Sequence, residues 1–434
     1  MKTTNPLKYN NESGAVLIMV VCAMVMLLGM AALAIDVSHL VVARNELKNA
    51  ADAGALAAAR VLYSDDGTSI EKETTESTGK AAAEANKSEN VAVEVKAVEI
   101  GHWSFGLNAI SERGFETQLV LNVTDISNFS EKELDGLPSF INAVKVSVER
   151  KNSTVASYFA QIFGIKDFEM EASSIAYIGF AGTLFPEEVD LPIAICSESL
   201  WVSGKLACNI GRMINSGNDD QTSETAGWTD FNQNEDGSCP GNAKNEAMSD
   251  YADYCTDEGN TGVNPKKLTV NTPMSTRGGE IQGPVFGPLY KCWIDTLDPD
   301  NPQPVKFTLP VIDCDGKNPG PCNIHRGAVS VTIVWVNEKD NIAEAPEKMG
   351  DWDCDPLDKD ELYDKPKDKD AAGERRWISF TNHFDLVNPD GITPATYAKK
   401  SIYFLPLCHE DQPPIGLTGG RNYGILAKIP VLVD

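Results

Sequence analysis

The first strong pattern along the chain is an apolar run, Ala15 to Ile35 (AVLIMVVCAMVMLLGMAALAI), with no charged side chain. At about 1.5 Å per residue, a helix of this length spans roughly 30 Å, the hydrocarbon thickness of a bilayer. The pattern then changes period without a break. From Asp36 to Leu62 there is no proline, and Val37, Leu40, Val41, Leu47, Ala51 and Leu56 recur at helical spacing. Arg44, Glu46, Lys48 and Asp52 fall largely on the other faces. The spacing predicts one continuous helix over 15–62, roughly 70 Å long, whose outer half packs on the domain that follows. Lys2 and Lys8 against Glu12 favour an inside N-terminus, while Arg44, Lys48 and Arg60 beyond the span oppose it. A cleaved leader is the competing reading, because Ala32-Leu33-Ala34 offers an A-x-A cleavage pattern. The length of the run and the helix continuing past it favour a retained anchor.

Beyond the long helix, the KAAAEANK run predicts a short second helix. Alternation then predicts strands in VAVEVKAVEIGHWSF, ETQLVLNVTDI, AVKVSVE and FEMEASSIAYIGF. In AVKVSVE, the apolar face is Val144, Val146 and Val148. Thr154 to Phe163 reads as a short helix ended by Gly164. The fold class expected is α+β: a long N-terminal transmembrane helix (15–35) after a cytoplasmic stretch (1–14), continuing into an α+β ectodomain (36–182) whose sheet rests on the helix. A boundary falls near Gly182 to Leu191. Past it, LPIAIC, VSVTIVWV, SIYFLPLC and YGILAKIPVLV alternate with long polar loops, which predicts a mainly β domain over 190–434.

Charge narrows the partners. The net charge of -26 leaves no basic face for phosphate, so nucleic acid is excluded as a partner. An acidic surface also repels anionic lipid, so the folded part is expected to touch membrane only through its anchor. Cysteine placement narrows the compartment. Cys22 lies in the apolar run, and Cys196, Cys208, Cys239, Cys255, Cys292, Cys314, Cys322, Cys354 and Cys408 all follow residue 190. None of them forms a CxxC pair, and their dispersal beside turn residues reads as disulfides in an oxidising compartment. An odd number leaves at least one of the nine free or bonded between chains.

Candidate chemistry is sparse. Asp230, Asn232, Asn234 and Asp236, followed by Gly237, resemble the start of a calcium loop, since alternating oxygen side chains suit a hard cation. Starting at Asn232, the twelfth position is Ala243 instead of a glutamate, so the motif is incomplete and a solvated turn is the rival. The acidic cluster from Asp351 to Asp364 is interleaved with Lys359 and reads as a solvated loop. The five histidines, at 39, 102, 325, 383 and 409, make no HExxH pattern, and there is no G-x-S-x-G elbow or phosphate-binding glycine loop. His102 beside Trp103 reads as a packed strand residue. Within the anchor, Gly29, Ala31, Ala32 and Ala34 form a small-residue face suited to close packing with another transmembrane helix, with lipid-facing alanine as the alternative.

Five blocks stand out together: Gly14-Ala15-Val16, AALAIDVSHL at 31–40, NELKNAADAGALAAAR at 45–60, GHWSF at 101–105 and the stretch from Asn142 to Gly179. They resemble the Tad (tight-adherence, or Flp) pilus-assembly proteins of the TadE/TadG-like type. The resemblance implies a pilin-like membrane anchor and a role in assembling a type IV-like surface pilus. The chain departs from a processed major pilin, because the fifth residue after Gly14 is Met19 instead of glutamate. It also lacks the D-x-S-x-S metal site carried by some members, since Asp36-Val37-Ser38 is followed by His39-Leu40 and Asp125-Ile126-Ser127 by Asn128-Phe129. The expectation is a noncatalytic accessory or minor-pilin-like component at the bacterial inner membrane, with its bulk periplasmic or at the cell surface. Its partners would be other pilus-assembly proteins, reached through the N-terminal helix, in a homo- or hetero-oligomer. An extracellular adhesive module that binds calcium, and a secreted hydrolase with an unrecognised site, are the alternatives.

Overall fold

The computed structural model describes residues 13–433 except 110, 203–204, 208–211, 216–225, 246–247, 249–261, 279–280, 282, 297–304, 316–318, 340, 343–368, 389–391 and 408–411. The continuous helix is present as Ser13–Arg60. From Val16 to Ile35 its side chains are exposed apart from the half-buried Ala32, and this stretch is apolar and long enough to cross a membrane. Burial then follows helical spacing: Ala43, Leu47, Ala50, Ala51, Ala55, Ala58 and Ala59 are all fully covered. One helix therefore serves two solvents, with lipid-type surface in its first half and a core-facing stripe in its second.

The alanines in that stripe have a steric purpose. A second helix, Lys72–Glu84, crosses the first so closely that a Cβ on Gly79 would stand 2.8 Å from the Ala58 Cβ. A Cβ on Gly54 would stand 3.0 Å from the Ala83 Cβ and the Gly79 carbonyl oxygen. Small residues on both sides are what allow the approach. The second helix starts earlier than its alanine run suggests, because Thr75 is buried and donates its hydroxyl to the Val61 carbonyl.

Against the outer half of the long helix lies an antiparallel five-stranded sheet, ordered Val431–Val433, Asp167–Tyr177, Ala143–Ala156, Glu94–Ser104 and Gly114–Thr117. Val144, Val146 and Val148 face the helix and are fully buried, as their alternation predicts. Each contributes about 2 kcal/mol of apolar burial. Two expectations fail locally. ETQLVLNVTDI forms a strand only at its start, and Leu119 and Val120 are exposed, while Leu121 and Val123 still pack on the core. The alternation there reports alternate burial without ladder pairing, and the chain leaves the sheet to enter a turn capped by Asp125. Thr154 to Phe163 is no helix either: the strand runs on to Ala156, and a single 3-10 turn, Ala160–Phe163, is stopped by Gly164 at φ 88°.

The C-terminal region is mainly β. Its seven-stranded sheet is ordered Arg212–Asn215, Ser401–Pro406, Cys322–Asn337, Pro273–Arg277, Ala226–Thr229, Ile193–Cys196 and Val305–Asp313. Cys322–Asn337 also pairs with Val305–Asp313, so the last five of these strands close into a ring. Closure removes edges that would otherwise pair with other chains. One core cluster gathers Ile193, Ile195, Trp228, Leu309, Val311 and Val331 with Phe286 and Trp293 from a helix, Gly283–Thr296. That helix and a second one, Lys369–His383, escape the sequence reading because Gly and Pro punctuate the first and charged residues dominate the start of the other. Two disulfides, Cys196–Cys314 and Cys239–Cys322, tie residues 118 and 83 apart in sequence. By loop-closure entropy, each stabilises the fold by about 2–5 kcal/mol. Cys292 is also disulfide-bonded, and Cys208, Cys255, Cys354 and Cys408 lie outside the described residues.

The two regions are sewn together by the end of the chain. Val431–Val433, part of the expected C-terminal domain, forms the edge strand of the first sheet beside Asp167–Tyr177. Just before it, Asn422 donates its side-chain amide to the carbonyls of Ile126 and Phe129, and its main-chain N–H to Glu131. The helix crossing gives a direct test. Gly79→Val is expected to lower stability by about 1–3 kcal/mol, read as a drop in melting temperature of the detergent-solubilised chain. Gly114→Ala, which meets open space, is expected to stay within about 0.5 kcal/mol.

Candidate functional site

Asp36 is the only acid between Ala15 and Ala43, and it is buried. Its carboxylate accepts the N–H groups of Tyr158 at 2.9 Å, Phe159 at 3.1 and 3.2 Å and Ala160 at 2.7 Å, and the Ser157 hydroxyl at 3.0 Å. These residues form the tip of the hairpin between Ala143–Ala156 and Asp167–Tyr177. Burial opposes ionisation of Asp36, but the main-chain donors of Ala160, Tyr158 and Phe159, with the Ser157 hydroxyl, outweigh it and hold the carboxyl below its ordinary value. The tip is closed across its base by the Ser157 N–H on the Lys166 carbonyl at 3.0 Å.

A ring of polar groups continues from this clasp up the sheet. His39, one helical turn after Asp36, stacks obliquely on Tyr158 at 4.7 Å and pairs with Glu89. Arg150, itself buried, reaches Glu89 at 4.0 Å and donates to the Ser88 carbonyl at 2.6 Å, while the Ser88 hydroxyl donates to the Ala43 carbonyl. Glu46 accepts the Glu89 N–H at 2.7 Å. The result is a polar seam that joins the helix to the sheet within about two turns of the end of the apolar run.

The sequence reading identifies Asp36 as the end of the span but does not find its partners. The residues concerned are more than 120 positions away, and no local motif announces them. The other candidates fall as follows. Gly29, Ala31, Ala32 and Ala34 lie along the membrane-type half of the helix, and no atom stands within 4 Å of a Cβ built on Gly29. In the calcium-like loop, Asp230 accepts the Lys244 N–H at 2.9 Å with one oxygen and the Ser275 hydroxyl and Asn232 N–H with the other. Asp236 is held by Ser238 through both its N–H and hydroxyl, and the Asn234 amide donates to the same hydroxyl. The two carboxylates therefore serve separate turns. Cys196, Glu198 and Cys314 also come together, but the two sulfurs are bonded to each other and offer no thiolate to a metal.

His102 is a packed strand residue, with its ring nitrogens against the carbonyls of Phe140 and Asp135. His325 is likewise buried against the carbonyls of Thr269 and Gly327, and burial pushes it down to about 4. Asp135 accepts the N–H groups of Phe105 and Leu107 and the Ser104 and Ser111 hydroxyls, an internal cap for the loop that follows the 94–104 strand. His409 and the 351–364 acidic cluster lie outside the described residues.

Residues 14–61 match the family model described as Flp pilus-assembly TadE/G-like, and residues 57–176 match the one described as Tad-like Flp pilus-assembly. Residues 14–176 are thus similar to Tad-like Flp pilus-assembly proteins. The Tad region contains both Asp36 and its clasp partners at 157–160, as well as the crossing of the two helices. It stops before the first disulfide, so the mainly β part of the chain lies beyond the match. No curated protein and no solved structure matches the chain.

Removing the carboxylate tests the clasp. In Asp36→Ala, the amides of Tyr158, Phe159 and Ala160 are expected to lose most of their hydrogen-exchange protection, while the Val144–Val148 ladder keeps its own. Because the folded carboxyl is held below its ordinary value, its contribution is complete above about pH 4 and drains away as pH falls through the folded value. Protection of the tip in the native chain should follow that course, and Asp36→Ala should flatten it.

Proposed function

We propose that this chain is a noncatalytic accessory, minor-pilin-like component of a Tad/Flp pilus-assembly system, held in the bacterial inner membrane by one helix. The observation that carries this reading is the continuity of Ser13–Arg60 within the Tad match: an apolar, exposed first half runs without a break into the alanine stripe of a packed core. An enzyme's leader would have no reason to be the central helix of the domain behind it. The disulfides support a periplasmic or cell-surface location for residues beyond the span, since such bonds persist in oxidising compartments.

In this reading the partners are other pilus-assembly proteins, and the contact runs through the membrane half of the helix. Gly29, Ala31, Ala32 and Ala34 would allow a second helix to approach closely, because packing in lipid depends on small residues instead of a hydrophobic driving force. The test is copurification from detergent-solubilised membranes. The native chain is expected to bring down pilus-assembly proteins, and Ala32→Leu is expected to reduce their yield severalfold without changing membrane retention. Release of the intact polypeptide by an alkaline carbonate wash would refute the anchor.

Calcium recognition by residues 230–237 is the second reading. A cation there would have to draw Asp230 away from Ser275 and Lys244 and Asp236 away from Ser238. A ligand that binds the native state must raise its melting temperature. Millimolar calcium is expected to leave the melting temperature of this chain unchanged, and a rise abolished by Asp230→Asn would establish the site.

A further inference from the structure

The hairpin tip that Asp36 holds is apolar on its outside. Ile162 is 76% exposed, Tyr158 56%, Ile165 47% and Phe159 37%, four apolar side chains within eight residues of a surface loop. Loop tips on a water-facing surface are ordinarily small and polar, and an exposed apolar cluster signals a contact. The position of this tip identifies the contact. Its amides lie about 3 Å from the carboxylate of Asp36, the residue that directly follows the charge-free run. The tip is therefore pinned at the depth where the helix leaves the hydrocarbon.

Apolar surface also continues up the helix past that depth. Val37, Val41 and Val42 are each about half exposed, and Arg44 is the next charged side chain. Asp36 does not interrupt this band for a neighbouring lipid, because three N–H groups and a hydroxyl occupy its carboxylate. Between Ser157 and Ile165 the tip carries no charged side chain, and Lys166 and Asp167, both exposed, follow it. Lysine flanking aromatic and aliphatic side chains is the composition that suits the headgroup level of a bilayer.

We propose that residues 158–165 form a membrane-interface foot: Tyr158, Phe159, Ile162 and Ile165 insert into the outer interface of the same bilayer that the helix spans. The folded part then touches lipid at two places, the anchor and the foot, against the expectation that it touches only through the anchor. Two contacts on one rigid body fix the tilt and rotation of the Tad region over the membrane, which a single helix leaves free. The proposal rests on the membrane-anchored reading.

The test uses the full chain reconstituted in phosphatidylcholine–phosphatidylglycerol nanodiscs, with an environment-sensitive fluorescent amino acid at position 25, 119 or 162 in separate preparations. Lipids spin-labelled near the headgroup or near the chain terminus act as quenchers. Position 162 should show blue-shifted emission and be quenched severalfold more by the shallow label than by the deep one. Position 25, in the middle of the span, should show the opposite preference, and position 119, exposed at the far end of the sheet, should be quenched by neither. Deep quenching at 25 with none at 162 overturns the foot and leaves the anchor standing. A blue shift at 162 that neither lipid label quenches means that protein covers the tip, and it overturns the foot as well. Absence of quenching at 25 refutes the anchor, and the foot falls with it.

Discussion

The carboxylate of Asp36 sits where a helix changes solvent. Below it the side chains are fit only for lipid, and above it the same helix presents an alanine stripe to a protein core. A junction of this kind is mechanically weak, since a lone helix can pivot about its own axis where it leaves the bilayer. Three main-chain donors and a hydroxyl from the sheet's longest hairpin remove that freedom, because they bind the helix at the end of its apolar run. The seam above it, from His39 through Glu89 to Arg150 and Ser88, extends the hold, and Ala43 and Leu47 begin the buried stripe. The orientation of the whole Tad region relative to the span depends on this junction.

The rest of the molecule is stabilised by a different means. The mainly β region closes five strands into a ring and ties them with disulfides, so it does not lean on the long helix for its core. Its connection to the Tad region is made by the returning end of the chain, where Asn422 is held by carbonyls of the first region and Val431–Val433 completes the first sheet. The two regions are therefore coupled through the sheet that rests on the long helix. Among the described interior polar groups, His102 and His325 turn their ring nitrogens to main-chain carbonyls, and Asp135 accepts two main-chain N–H groups and two serine hydroxyls that shape a loop.

Much of the Tad region was legible from periodicity, because its helix and valine-rich strands bury one face each, and burial on one face is what a repeat of 3.6 or 2 records. The readings that failed did so where pattern and pairing separate. Leu121 and Val123 keep the alternation of a strand, yet no ladder forms, since alternate burial needs only a surface to lie on. Thr154 to Phe163 has helical composition, but the N–H groups of Tyr158, Phe159 and Ala160 find Asp36 instead of a helical carbonyl. The helix Gly283–Thr296 was hidden by Gly287 and Pro288, whose local cost is repaid by burying Phe286, Leu289 and Trp293.

By itself the sequence determined the long apolar run, its continuity with the helix beyond and the likeness of roughly the first 180 residues to Tad proteins, since each is written in neighbouring residues. Only the tertiary structure decided what Asp36 binds, which cysteines pair, that five strands close on themselves and that the last residues return to the first sheet. The carboxylate clasp, the disulfides and the returning strand join residues 83 to 258 positions apart. Local propensity and periodicity carry no information about such pairs, because their free energy exists only once the chain has brought them together.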